Sequence, residues 1–163
     1  MNKLRNATLV FLIKRTGGEI KDICLAMKKR GFGMNRWNGV GGKVDGQNET
    51  IEEAARREAK EEIFVDVQDL NKVAELSFYF PHNSAWNQMV HVYLAENWRG
   101  EPKESDEMKP EWFSVNELPF QEMWPDDIFW LPEMVKGNLL KAIFKFGEND
   151  VVLDKKVEIV NQL

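Results

Sequence analysis

Cysteine is almost absent from this chain of 163 residues; Cys24 is the single one. A lone thiol cannot close an internal disulfide, so the core must hold the fold, and a reducing, cytoplasmic setting is expected. Histidine is also scarce. His82 and His91 stand apart, with no metal-ligand spacing between them. No block of lysine or arginine runs along the sequence, and 22 basic residues against 27 acidic ones leave a net charge of −5. That balance argues against a nucleic-acid polymer as partner. Long hydrophobic runs are missing too. The stretch Ala7–Ile13 is closed at once by Lys14 and Arg15 and has no small-residue cleavage site. It is too short to span a membrane and reads as a buried strand. Internal repeats and low-complexity segments are lacking.

What is present suits a compact domain over residues 1–163, expected to be monomeric: hydrophobic residues make up 43% and charged residues 30%. Residues 6–14 and 22–28 are apolar and flank a turn with Gly17 and Gly18, which predicts a β-hairpin. Residues 29–43 hold five glycines among basic and aromatic residues and read as a loop that lets backbone approach a ligand. Thr50, with Glu53 three residues later, predicts a capping box and a helix over 50–63. Alternation predicts antiparallel strands at 72–80 and 88–95 and a short strand at 110–115. A second helix is expected from Pro125, with Gly137 near its end, and a hairpin over 142–160 that turns at 147–150.

The first predicted helix carries Glu58, Glu61 and Glu62 at spacings of three and four, which places three carboxylates on one face. Arg56, Arg57 and Lys60 can make this an ordinary solvated charged face. Alternatively the face binds a hard cation, which takes a few carboxylates together with substrate phosphate oxygens.

The segment Gly41 to Phe64 resembles the signature of the Nudix hydrolases. Glu49, seven intervening residues and then Arg57-Glu58-Ala59-Lys60-Glu61-Glu62 follow that pattern, with Ala59 small where a bulky aliphatic residue is usual. Two positions depart from it. Six residues instead of five separate Gly42 from Glu49, and Phe64 stands where the family has glycine, removing a residue suited to a left-handed helix end. The resemblance implies an α/β/α sandwich around a central mixed β-sheet. It also implies a metal set of Glu58, Glu61 and Glu62, a backbone carbonyl from Gly41, and Arg57 orienting a glutamate. Magnesium, with manganese as a substitute, would be the cofactor, and Glu62 would do much of the work on the attacking water.

The stretches MKKRGFG (27–33), RWNG (36–39), ESDEMKPEWF (104–113), LPF (118–120), MWPDD (123–127) and FKF (144–146) extend the resemblance to the branch of the family that acts on oxidised purine nucleoside triphosphates. By that resemblance Trp124 would stack on the base, Asp126 and Asp127 would hydrogen-bond its edge, and Asn38 would contact the other edge. Thr8, Lys28, Phe32, Phe78 and Phe80 would line the nucleoside pocket, and Glu107 would join the metal site. Gln88 departs from the branch, which has methionine against the base. The implied reaction releases a nucleoside monophosphate and pyrophosphate from substrates such as 8-oxo-dGTP and 2-hydroxy-dATP, cleansing the nucleotide pool.

The residue types make sense apart from the resemblance. Neighbouring carboxylates among aromatic rings cannot both ionise cheaply, so Asp126 and Asp127 are expected to share a proton and offer both a donor and an acceptor. Other readings stay open at this level. Trp124-Pro125-Asp126-Asp127 also reads as a helix start with acids near the positive end of the macrodipole. Phe32, Phe78 and Phe80 also read as core, and Asn38 as a turn residue. A Nudix hydrolase for another nucleoside diphosphate derivative, or a catalytically silent nucleotide-binding module, fits the same motifs.

Overall fold

In the computed structural model, which describes residues 4–163, the chain forms β1 (Arg5–Thr16), β2 (Glu19–Lys28), β3 (Trp37–Asn38), α1 (Ile51–Ile63), β4 (Asp66–Val67), β5 (Asn71–Tyr79), β6 (Gln88–Ala95), β7 (Trp98–Arg99), β8 (Met108–Ser114), α2 (Asp127–Val135), β9 (Leu139–Phe146) and β10 (Val152–Val160). The uninterrupted apolar run of β1 has a direct cause: both of its faces are covered. Leu9, Phe11 and Ile13 point into a core that includes Trp130 and Leu131 of α2. Val10 and Leu12 point the other way, into a core with Ala55, Ala59 and Ile63 of α1. Two helix layers therefore sandwich one sheet.

That sheet has eight strands in the order β10-β9-β5-β6-β1-β2-β3, with β8 also paired to β2. It is mixed. β1 runs parallel to β6 and β5 parallel to β9, while β1–β2, β5–β6 and β9–β10 are antiparallel. The expected hairpins and antiparallel pairs are present, and the sandwich with a central mixed sheet is the fold. Residues 29–43 are not wholly loop. Trp37–Asn38 form β3, and Val40 and Lys43 bridge back to Val10 and Ala7, because the chain must satisfy its backbone groups as it crosses the open end of β1. The small sheet of β4 and β7 has only two residues per strand, too few to show an alternating pattern.

The capping box forms as expected. Thr50 Oγ1 accepts from the Glu53 N–H at 3.1 Å, and Glu53 Oε2 accepts from the Thr50 N–H at 2.9 Å. A cap of this kind contributes about 1 kcal/mol to helix stability. Alanines 54, 55 and 59 are fully buried, so their small side chains seat α1 directly on the sheet. At the other end Phe64 adopts the left-handed conformation, φ 62° and ψ 30°, and its N–H reaches the Lys60 carbonyl. The left-handed helix end is thus kept without glycine, with the aromatic ring left half exposed. α2 begins at Asp127, two residues beyond the expected Pro125. Among the described residues no helix is long and apolar enough to cross a membrane.

Candidate active site

The acidic end of the site is built by α1 and the glycine pair that faces it. Arg57 lies between the carboxylates. Its Nε and Nη2 donate to the two oxygens of Glu49 at 2.9 and 2.7 Å, and its Nη1 donates to Glu58 at 2.9 Å and Glu61 at 3.3 Å. This fork holds the Glu49 carboxyl down at about 2, first through the Arg57 hydrogen bond and then through the Asp45 N–H. Glu62 turns inward. It is buried, and its Oε2 accepts from the Gly41 N–H at 3.2 Å. Burial, and secondly the charge of Glu58, push its pKa up to about 8, against the pull of Lys28.

The two glycines are required by distance. A β-carbon on Gly41 would fall 1.8 Å from the Thr8 carbonyl oxygen, and one on Gly42 would fall 2.6 Å from Glu58 Oε1. Glu58, Glu61 and Glu62 share a cleft with Glu104, Asp106 and Glu107 from the segment before β8, with Lys29 and Arg30 as its cations. Among the described residues these carboxylates do not already close into a cluster of metal ligands. Glu58 and Glu61 lean on Arg57, Glu62 on Gly41, and Glu107 meets Arg30 at 3.3 Å. The donor set still fits a hard divalent cation: it is all oxygen, and the Glu62 carboxyl is held in a protonated range that a nearby cation would relieve.

On the other side of Gly41 and Gly42 lies an aromatic cavity. Thr8, Lys28, Phe32, Asn38, Phe78, Phe80, Gln88, Trp124, Asp126 and Asp127, the ten residues expected around a nucleoside, all line it. Gly41 also lines it, so one glycine borders both the cavity and the buried glutamate. Phe78 and Phe80 pack on Phe146 with ring centroids 5.7 and 5.1 Å away, and Phe32 lies 5.0 Å from Trp124. Asn38 is partly spent on its own turn, because its Oδ1 accepts from the Gly39 N–H at 2.9 Å. Its amide nitrogen is the group left to face the cavity.

The helix-start reading of Trp124-Pro125-Asp126-Asp127 does not account for these acids. Asp126 occupies the position before α2 but caps nothing; its Oδ2 accepts from the Trp130 indole N–H at 2.9 Å. Both carboxyls are buried, and Asp127 Oδ2 has no hydrogen-bond partner. Burial raises the Asp126 pKa to about 6, opposed by the Trp130 hydrogen bond. Burial, then the charge of Asp126, raises Asp127 further still. Each carboxyl lies near enough to act on the other, and the burden falls on Asp127, whose ionised form is disfavoured both by burial and by the Asp126 charge.

Several cavity residues were not anticipated. Phe146 lies within the noted FKF stretch and Arg36 within RWNG, but nothing local assigns them to the site. Arg36 gains its place from an ion pair with Asp150, 114 residues away.

An acidic helix, a glycine pair against it and an aromatic-lined cavity beside them on one mixed sheet fit a Nudix hydrolase, and the chain belongs to that family: residues 3–134 match the NUDIX domain. The chain is 45% identical over 141 residues to the oxidized purine nucleoside triphosphate hydrolase of Danio rerio, covering 86% of this chain and 89% of that one. It is 40% identical over 161 residues to the protein of the same name from Mus musculus, covering 99% of each. Among solved structures, the MutT protein from Bacillus halodurans superposes with a TM-score of 0.80 at 22% identity, over 95% of this chain and 98% of that one, which speaks for the fold.

Proposed function

We propose that this protein hydrolyses oxidised purine nucleoside triphosphates to the monophosphate and pyrophosphate. One observation carries the reading: a buried pair of neighbouring carboxyls and a tryptophan line a cavity that shares Gly41 with the acidic helix face. The likeness to relatives named for this activity supports it.

In this reading the purine lies against Trp124, where base stacking on an aromatic side chain is worth about 1–3 kcal/mol. Asp127, protonated, donates to an acceptor on the base edge, while Asp126 accepts. An oxidised purine differs from its parent in where donors and acceptors stand along that edge, so a pair holding one proton selects by hydrogen-bond pattern. Asn38 offers its amide to the opposite edge. The triphosphate then extends past Gly41 and Gly42, whose missing side chains let it reach the helix.

Glu58, Glu61, Glu62 and Glu107, with the Gly41 carbonyl, would hold magnesium. Bound there, magnesium neutralises phosphate oxygens and acidifies a water. Glu62 takes the proton from the attacking water, the new oxygen–phosphorus bond forms, and the bridging bond between the α- and β-phosphates breaks, separating monophosphate from pyrophosphate. Arg57 keeps Glu58 and Glu61 oriented toward the metal site through its fork on Glu49. Cytoplasmic location and a monomeric state accompany this reading.

The test is pyrophosphate release, with magnesium, across 8-oxo-dGTP, 2-hydroxy-dATP, dGTP, a dinucleoside polyphosphate and a nucleotide sugar. The expected result is the highest kcat/KM on the oxidised purines. Preference for the sugar or the dinucleotide would overturn the substrate class, and binding without turnover would leave a nucleotide-binding module.

A further inference from the structure

Arg36 is an unabsorbed charge inside the nucleoside cavity. It follows the loop of Gly31 and Gly33, and its guanidinium carbon sits 4.2 Å from the centroid of the Trp124 ring. Its Nη1 donates to Asp150 Oδ2 at 2.9 Å, with both side chains only about a quarter exposed, at 25% and 27%. Asp150 belongs to the turn between β9 and β10, where it and Asn149 both take positive φ, 59° and 60°. Asn and Asp are the non-glycine residues that adopt this region most readily, so the hairpin turn holds the Asp150 carboxylate in a defined direction at little cost. That carboxylate fixes the cation on Trp124. Gly33 leaves room for the same ring, since a β-carbon there would fall 3.2 Å from its Nε1.

We propose that Arg36, pinned by Asp150, is a positioning and selectivity residue that holds the Trp124 indole in place for the purine. The inference rests on the function proposed above. Arg36 lies close enough to Asp126 and Asp127 that its charge pulls both carboxyls back toward ionisation, against their burial. Among the described residues the other cations lining the cavity are Lys28, whose charge weighs on Glu62, and Lys43; the Trp130 indole N–H and the Asp126 backbone N–H also act on the pair. Arg36 therefore serves both elements of base recognition, the stacking surface and the proton balance of the acids beside it. The β9–β10 hairpin becomes part of substrate selection although, through Asp150, it touches no substrate.

Three variants separate these effects: Asp150→Asn frees Arg36, Arg36→Lys keeps the charge but not the planar contact, and Arg36→Ala removes both. With 8-oxo-dGTP, Asp150→Asn is expected to raise KM about two- to fivefold with kcat unchanged, and Arg36→Ala about tenfold. A second readout needs no substrate. The Trp130 indole N–H donates to Asp126, so its proton resonance followed against pH reports the titration of the pair. Arg36→Ala is expected to move that midpoint upward, and Arg36→Lys to leave it near the wild type. Unchanged KM together with an unmoved midpoint, in variants that keep the wild-type Tm, overturns the inference. If the wild type cleaves no oxidised purine triphosphate the functional reading fails alone, because the Trp130 titration still decides whether Arg36 governs the pair.

Discussion

Glu58, Glu61 and Glu62 stand on a helix face beside an arginine, whereas Asp126 and Asp127 stand inside an aromatic cavity beside a tryptophan. The same functional group behaves differently in the two places. At the helix, Glu58 and Glu61 are held by the Arg57 fork and Glu61 is exposed, so charge is met by charge, and Glu62 alone is driven toward the protonated form by burial. In the cavity no cation touches the acids within hydrogen-bond reach among the described residues, and burial raises both, Asp127 with the added push of the Asp126 charge. Carboxylates that gather charge suit a phosphate-and-metal site. Carboxylates that shed it suit reading a neutral base.

The contrast can be broken at the helix first. Glu62→Gln is expected to lower kcat about 10²–10⁴-fold while 8-oxo-dGMP binding, measured by calorimetry, persists; full activity would remove Glu62 from the proton transfer. A smaller loss is expected from Arg57→Lys, about 10–100-fold in kcat/KM, because a lysine cannot grip both oxygens of Glu49 while holding Glu58 and Glu61. Activity within twofold of wild type would mean that the fork is only structural.

The cavity is tested through stability. A buried carboxyl whose folded pKa is raised binds its proton more tightly when folded, so stability is highest below the unfolded value near 4 and falls as pH rises through the folded value. For Asp126 that window runs from the ordinary 3.8 to about 6. Asp127 is raised further and carries the loss to higher pH. Asp127→Asn should flatten the fall in Tm between pH 4 and neutrality and, in the substrate panel, change the ranking of the oxidised purines. Parallel Tm curves for variant and wild type would contradict the proton-sharing pair. The smallest effect is expected at the end of α1, where Phe64 borders the acidic cleft. Phe64→Gly relieves a left-handed aromatic residue and should stabilise the fold by about 1 kcal/mol, read as a raised Tm; a lowered Tm would show that the half-exposed ring packs to advantage.

How much of this could be read beforehand depends on range. The capping box of Thr50 and Glu53, the shared face of Glu58, Glu61 and Glu62, and the alternating strands involve neighbours a few residues apart, and all were legible. The start of α2 was placed two residues early because Pro125 suits a first turn, while the chain here turns Asp126 inward to Trp130 instead. The two-residue strands were illegible because so few residues carry no period. Resemblance supplied the ten cavity positions that the structure brings together. It did not supply Arg36, whose position comes from an ion pair with the last hairpin.

By itself, the sequence determined which residues lie on which face of each element, since the 3.6- and 2-residue periods follow from covalent geometry alone. It also carried the order of functional groups along the helix that marks the family. Tertiary structure decided how those groups behave. Proton affinity depends on how much water is removed and which charges come near, and residues far along the chain, Arg36 among them, set both for Asp126 and Asp127.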